Sequence, residues 1–131
     1  MDHTSLVDIA NAMVQKGKGI LAADESTPTC KKRFDSINVE STEENRNKYR
    51  NMLFTADGIE NFISGVILFD ETLRQKASDG NYLRDVILDH GSLPGIKVDQ
   101  GVKELESGSD EKITTCLLYT SDAADDLLCV D

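Results

Sequence analysis

Apolar residues recur at helical spacing near the start of the chain. Leu6, Ile9, Ala10, Met13 and Val14 share one face and predict a helix over residues 4–15. Thr4 is placed to cap it, and Gly17 and Gly19 to end it. Ile20-Leu21-Ala22-Ala23 is an unbroken apolar run, the pattern of a strand buried on both faces of a parallel sheet. Residues 31–37 predict a short helix. Ser41-Thr42-Glu43-Glu44 reads as a capping box that opens a helix reaching about Phe54. FISGVILF (residues 62–69) predicts a second strand. Leu83, Val86 and Ile87 mark another helical face, stopped by Gly91 and Pro94, and residues 95–99 predict a third, shorter strand.

Strands that alternate with helices imply βα units and a parallel sheet. Each predicted strand ends in an acid: Asp24, Asp70 and Asp99. The carboxyl ends of parallel strands are where barrels and doubly wound sheets place their chemistry. An Asp after a strand also simply caps the next helix, and for Asp70 that reading is preferred. A complete (β/α)8 barrel takes about 250 residues, and this chain of 131 shows three strands. No glycine-rich phosphate motif follows the first strand. Gly17-Lys18-Gly19 precedes it, which is the wrong context for a nucleotide fold.

Charge narrows the partners. With 24 acids against 14 bases the net charge is −10, which argues against nucleic acid and anionic membranes. No apolar run approaches the roughly 20 residues of a membrane helix. The N-terminus lacks a basic segment followed by an apolar one, so a cytoplasmic location is the expectation. Cys30, Cys116 and Cys129 are too few and too scattered for a disulfide framework. His3 and His90 lie far apart, and no ligand spacing is visible, so neither a metal centre nor a cofactor is expected.

Two groups remain as candidate chemistry. Lys97 lies between Ile96 and Val98 in the predicted third strand. Low-dielectric surroundings would make it an amine nucleophile or a phosphate anchor. The alternative is a lysine that snorkels to the strand end or is ion-paired. Asp24 is placed to orient such a lysine from a neighbouring strand. Ser26, Thr27 and Thr29 precede a helical stretch with Lys31, Lys32 and Arg33, which suits a phosphate site. The bland alternative there is an N-cap followed by a solvated basic face.

Four motifs take the reading further: GKGILAADEST (17–27), NVESTEENRNKYRNMLFT (38–55), SGVILFDETLRQK (64–76) and PGIKVDQGVKEL (94–105). Together they closely resemble class I fructose-bisphosphate aldolase, continuously from about Leu6 to Thr114. The resemblance implies an α/β fold, the N-terminal three βα units of a (β/α)8 TIM barrel, here incomplete. It also implies a metal-independent Schiff-base lyase that cleaves fructose 1,6-bisphosphate in glycolysis and gluconeogenesis, a sugar phosphate substrate and a homotetramer. By the same resemblance, Asp24 is the active-site carboxylate and Lys97 a substrate-contacting catalytic lysine. Ser26 and Thr29 meet the 6-phosphate, and Arg33 and Arg46 bind the sugar bisphosphate. The family's Schiff-base lysine belongs to a later strand that these residues do not reach. Pro28 stands where the family commonly has Gly, and Gln100 replaces a frequent Lys.

Residues 1–114 are thus expected to form part of an aldolase barrel domain. Residues 115–131 depart from the family: the last 16, CLLYTSDAADDLLCVD, hold four Asp and no Lys or Arg, and show neither a helical face nor a strand alternation. They read as foreign to the gene. Without the later strands the 131 residues are expected to be inactive alone. The rival reading is a non-catalytic segment that binds phosphosugar or partner subunits.

Overall fold

The computed structural model describes residues 5–105, 107–108 and 110–116. They fall into two compact units, Met1–Lys97 and Val98–Asp131. The first unit holds a parallel sheet ordered β1-β2-β3, with β1 Gly19–Ala23, β2 Ile63–Leu68 and β3 Leu93–Ile96. Helix α1 (Leu6–Met13) precedes β1. Helices α2 (Thr27–Asp35) and α3 (Glu43–Phe54) join β1 to β2, and α4 (Leu83–Asp89) joins β2 to β3. Parallel neighbours require such crossovers.

Capping follows local hydroxyls. Ser5 starts α1, its Oγ accepting from the Asp8 N–H at 3.2 Å; Thr4, the expected cap, lies outside the described residues. Thr42, not Ser41, caps α3, accepting from the Asn45 N–H at 3.1 Å. Ser41 instead accepts from Arg46 through its carbonyl, at 2.7 Å. Glu43 and Glu44 then sit in the first turn, where the helix dipole favours carboxylates. Pro28 fits the first turn of α2, where a missing N–H costs nothing.

The core is built on β2. Val66 and Leu68 pack with Phe54 of α3 and with Leu83, Val86 and Ile87 of α4. Burying each such side chain contributes roughly 1.5–3 kcal/mol. Burial on both faces, expected of β1, holds for β2 instead: only Ala23 of β1 is buried. The reason is order, since β1 has one strand neighbour in the described sheet and β2 has two. Gly65 admits α1, because a Cβ there would come within 2.8 Å of Met13 Cε. Buried Ser64 ties the same region together, its hydroxyl donating to the carbonyls of Met13 and Gly19.

The third strand begins and ends earlier than expected. It runs Leu93–Ile96, so Pro94 lies inside it, at the edge of the described sheet where proline is tolerated. Lys97 lies one residue beyond it, although its N–H still donates to the Leu68 carbonyl at 2.9 Å.

In the second unit, β4 (Asp99–Glu104) pairs antiparallel with β5 (Lys112–Cys116). Asp99 therefore opens β4 and does not end the third strand. Leu105 N–H donates to the Glu111 carbonyl at 2.9 Å and closes the turn. Among the described residues no helix is long and apolar enough to cross a membrane.

Candidate active site

The carboxyl ends of β1 and β3 bring together the two residues singled out in them. Asp24 follows β1 directly and Lys97 follows β3 directly, and Lys97 Nζ lies 3.4 Å from Asp24 Oδ2. Their side chains are 28% and 32% exposed respectively. The pair is therefore open to a solute while half-shielded from water. Of the two readings of Lys97, the geometry matches the ion-paired lysine at a strand end, with Asp24 as the carboxylate that meets it. Lys97 sits past its strand, partly solvated, with a carboxylate as counter-ion.

The hydroxyl cluster forms as expected. Ser26 Oγ and Thr29 Oγ1 lie 3.1 Å apart at the start of α2. Ser26 is the N-cap residue, but its side chain makes no capping hydrogen bond. The hydroxyl is engaged with Thr29 instead, beside the start of a helix whose first N–H groups favour an anion. Arg33, one turn further along α2, donates to Glu25 and, at 3.0 Å, to Tyr49 Oη. The guanidinium is held above its ordinary range, chiefly by the hydrogen bond it donates to Glu25. Lys31 pairs with Asp35 at 2.7 Å and belongs to the solvated face.

Arg46 has a different setting. It is 8% exposed and donates to Glu71 from Nε and Nη2, at 3.0 and 2.5 Å. Its hydrogen-bond partners among the described residues are Glu71 and Ser41, not the hydroxyls of α2. Glu71 also accepts from Arg50, one turn on. The hydrogen bond from Arg46 is the main cause that holds the Glu71 carboxyl below its ordinary value, with Arg50 adding to it and burial opposing it.

Sequence reasoning passed over Arg50, Glu71, Glu25 and Tyr49. One local signal existed: Arg46, Arg50 and Phe54 repeat every fourth residue, which puts both arginines on the helix face of a core phenylalanine. Asp70, read as a helix cap, makes no capping bond and instead pairs with Arg74 at 2.6 Å. His90 is the C-cap residue of α4, with Nδ1 3.9 Å from Glu60. Cys30 is buried and free, its thiol pushed up chiefly by burial. Cys129 and the rest of residues 117–131 lie outside the described residues.

An open groove also runs between the start of α3 and residues 70–76. Glu43, Glu44, Asp70 and Glu71 line it together with Arg74 and Lys76. Ser26 and Thr29 at the start of α2, Arg33 through Glu25, and Lys97 through Asp24 gather around the β1 terminus.

Comparison with known proteins gives one consistent answer. The family model described as fructose-bisphosphate aldolase class-I matches residues 5–125, past the boundary expected near residue 115. Fructose-bisphosphate aldolase 1 of Toxoplasma gondii is 53% identical over 109 residues, covering 83% of this chain and 30% of that protein. A cytosolic aldolase of Arabidopsis thaliana is 52% identical over 110 residues, 84% of this chain and 30% of its own length. The aldolase of Plasmodium falciparum, solved as a ternary co-crystal with TRAP and a small-molecule inhibitor, superposes with a TM-score of 0.77. It is 48% identical, covering 86% of this chain and 33% of that one. The chain thus spans about a third of the length of the relatives it matches.

Proposed function

The chain belongs to the class I fructose-bisphosphate aldolase family, and we propose that the protein carrying it cleaves fructose 1,6-bisphosphate reversibly through a Schiff base. In this reading strands β1 to β3, with their helices, are the opening βα units of a (β/α)8 barrel. The products are dihydroxyacetone phosphate and glyceraldehyde 3-phosphate. The protein is a cytoplasmic homotetramer. The observation that carries the reading is the Asp24–Lys97 pair at 3.4 Å, on the carboxyl ends of parallel strands.

Cleavage of the ketose needs electrons withdrawn at the carbonyl carbon and a proton removed from the hydroxyl across the breaking bond. The family's amine, on a later strand, supplies the first as an iminium. Asp24 is placed to hydrogen-bond the sugar hydroxyls and to favour positive charge as it develops. Lys97 holds that carboxylate in place and offers its ammonium to the substrate. Ser26, Thr29 and Arg33 bind the 6-phosphate: hydroxyls donate, and the guanidinium and helix end supply charge. Arg33 is 53% exposed at the side chain, so phosphate reaches it without a large rearrangement. Arg46 acts on the bisphosphate only through the field it shares with Glu71.

The test uses the full-length protein. Borohydride with dihydroxyacetone phosphate should trap one covalent adduct on a lysine outside residues 1–131. An adduct on Lys97, or loss of cleavage on adding chelator, would overturn the reading. Asp24→Asn should lower kcat about 100-fold with little change in KM. Arg33→Ala should mainly raise KM, because a phosphate contact persists in ground and transition states. The 131 residues alone should show no cleavage, since the trapped lysine lies elsewhere.

A further inference from the structure

Arg50 is the deepest charged side chain among the described residues, at 0% exposure, and it reaches the catalytic face from behind. Its Nη2 donates to the Glu25 carbonyl at 3.2 Å, one residue after Asp24. Its Nη1 donates to Glu71 and, at 3.2 Å, to Gln75 Oε1. The guanidinium carbon lies 5.8 Å from the Phe69 ring centroid. One planar group thus bolts the turn after β1 to the turn after β2. Lys97 N–H, donating to the Leu68 carbonyl, ties the end of β3 to the same point.

Simple ion pairing does not account for this arrangement. A buried cation could be neutralised by Glu71 alone, without reaching the backbone beside Asp24. The desolvation is also imperfectly repaid: Arg50 Nε and Gln75 Nε2 are buried without hydrogen-bond partners among the described residues. A group retained at that cost, and aimed at one peptide of a strand-end turn, fits a role in geometry. We infer that Arg50 is a positioning residue: its fork fixes the Glu25 peptide and thereby holds Asp24 against Lys97.

This inference rests on Asp24 and Lys97 belonging to the active site. Misplacing a reacting group by about 1 Å can cost up to about 100-fold in rate. Lysine keeps the charge of Arg50 but has no planar fork to span both turns.

In the full-length enzyme, Arg50→Lys should therefore lower kcat about tenfold or more while KM stays within about threefold. Phe54→Leu, from the core face of the same helix, serves as a purely structural control. It should lower the Tm but leave both constants within about twofold. If Arg50→Lys does not fold, Gln75→Met decides: it removes one acceptor of the fork and should lower kcat with KM unmoved. An unchanged kcat in a folded Arg50→Lys enzyme, or in Gln75→Met if that one decides, overturns the positioning role. So does a loss in Phe54→Leu equal to that in Arg50→Lys. Asp24→Asn separates the two layers. If it leaves kcat intact, the site assignment fails and takes this inference with it. If it abolishes turnover while Arg50→Lys does not reduce it, only the positioning role fails.

Discussion

Helix α3 treats its cations in two opposite ways. On one face, Arg46 and Arg50 are buried and share Glu71, which comes from more than twenty residues further along. On the other, Lys48 pairs with Glu44 at 2.6 Å, with side chains 67% and 76% exposed. The separations are nearly the same, 2.6 Å for the local pair and 2.5 Å for Arg46–Glu71, but the local pair has the smaller consequence. Water competes for both of its partners, and the helix forms without it. The buried set is a tertiary link. Its charges have given up their hydration, so each depends on the others. Distance alone does not rank ion pairs; burial and the sequence separation they bridge do.

The largest expected effect comes from breaking the buried set. Glu71→Ala strands two guanidinium groups, each under 10% exposed. The full-length protein should lose about 3–5 kcal/mol of stability by denaturant titration. A loss below about 1 kcal/mol would mean that water or another anion replaces the carboxylate, and the contrast between the two faces would collapse.

Acid sharpens the same comparison. The Glu71 carboxyl titrates below its ordinary value of 4.5 in the folded protein. The unfolded chain therefore takes up that proton first as pH falls. The stabilisation is fully present above the ordinary value, and it is lost as pH drops through the folded one. The Tm difference between wild type and Glu71→Gln should stay constant from neutrality down to about pH 5 and shrink below that. A gap that stayed constant to about pH 3 would show that Glu71 is not held ionised by its arginines.

The contrast explains what could be read from the chain. Helix α4 and strand β2 were legible because their apolar positions and their burial coincide, as at Leu83, Val86 and Ile87, and α3 was legible from the capping residues at its start. The α3 cap was misplaced by one residue because Ser41 and Thr42 are both hydroxyls, and local spacing does not choose between them. Strand β1 was read as fully buried because Ile20 to Ala23 are uniformly apolar. Its exposure follows from having one strand neighbour in the described sheet, which no local pattern encodes. Asp24 and Lys97 stood out as polar residues ending apolar runs, and they do meet. Arg50 was invisible for the opposite reason. In NRNKYRNMLF it looks like one more surface cation, and its anion lies in a different segment. The arginine chosen through the family resemblance, Arg46, turned out to be its neighbour on the buried face.

The smallest expected effect is on the exposed face. Lys48→Ala removes the partner of Glu44 but places the best helix former in the middle of α3. The hydrogen bond from Lys48 holds the Glu44 carboxyl below its ordinary value, yet Glu44 also sits in the first turn, where the helix dipole continues to favour it. The lost attraction and the gained propensity oppose each other, and salt screens the first. The Tm of the full-length Lys48→Ala protein should therefore match wild type within reproducibility, at low and at high salt. A destabilisation approaching that of Glu71→Ala would place the organising charge of α3 on its solvent face, not under the strand ends.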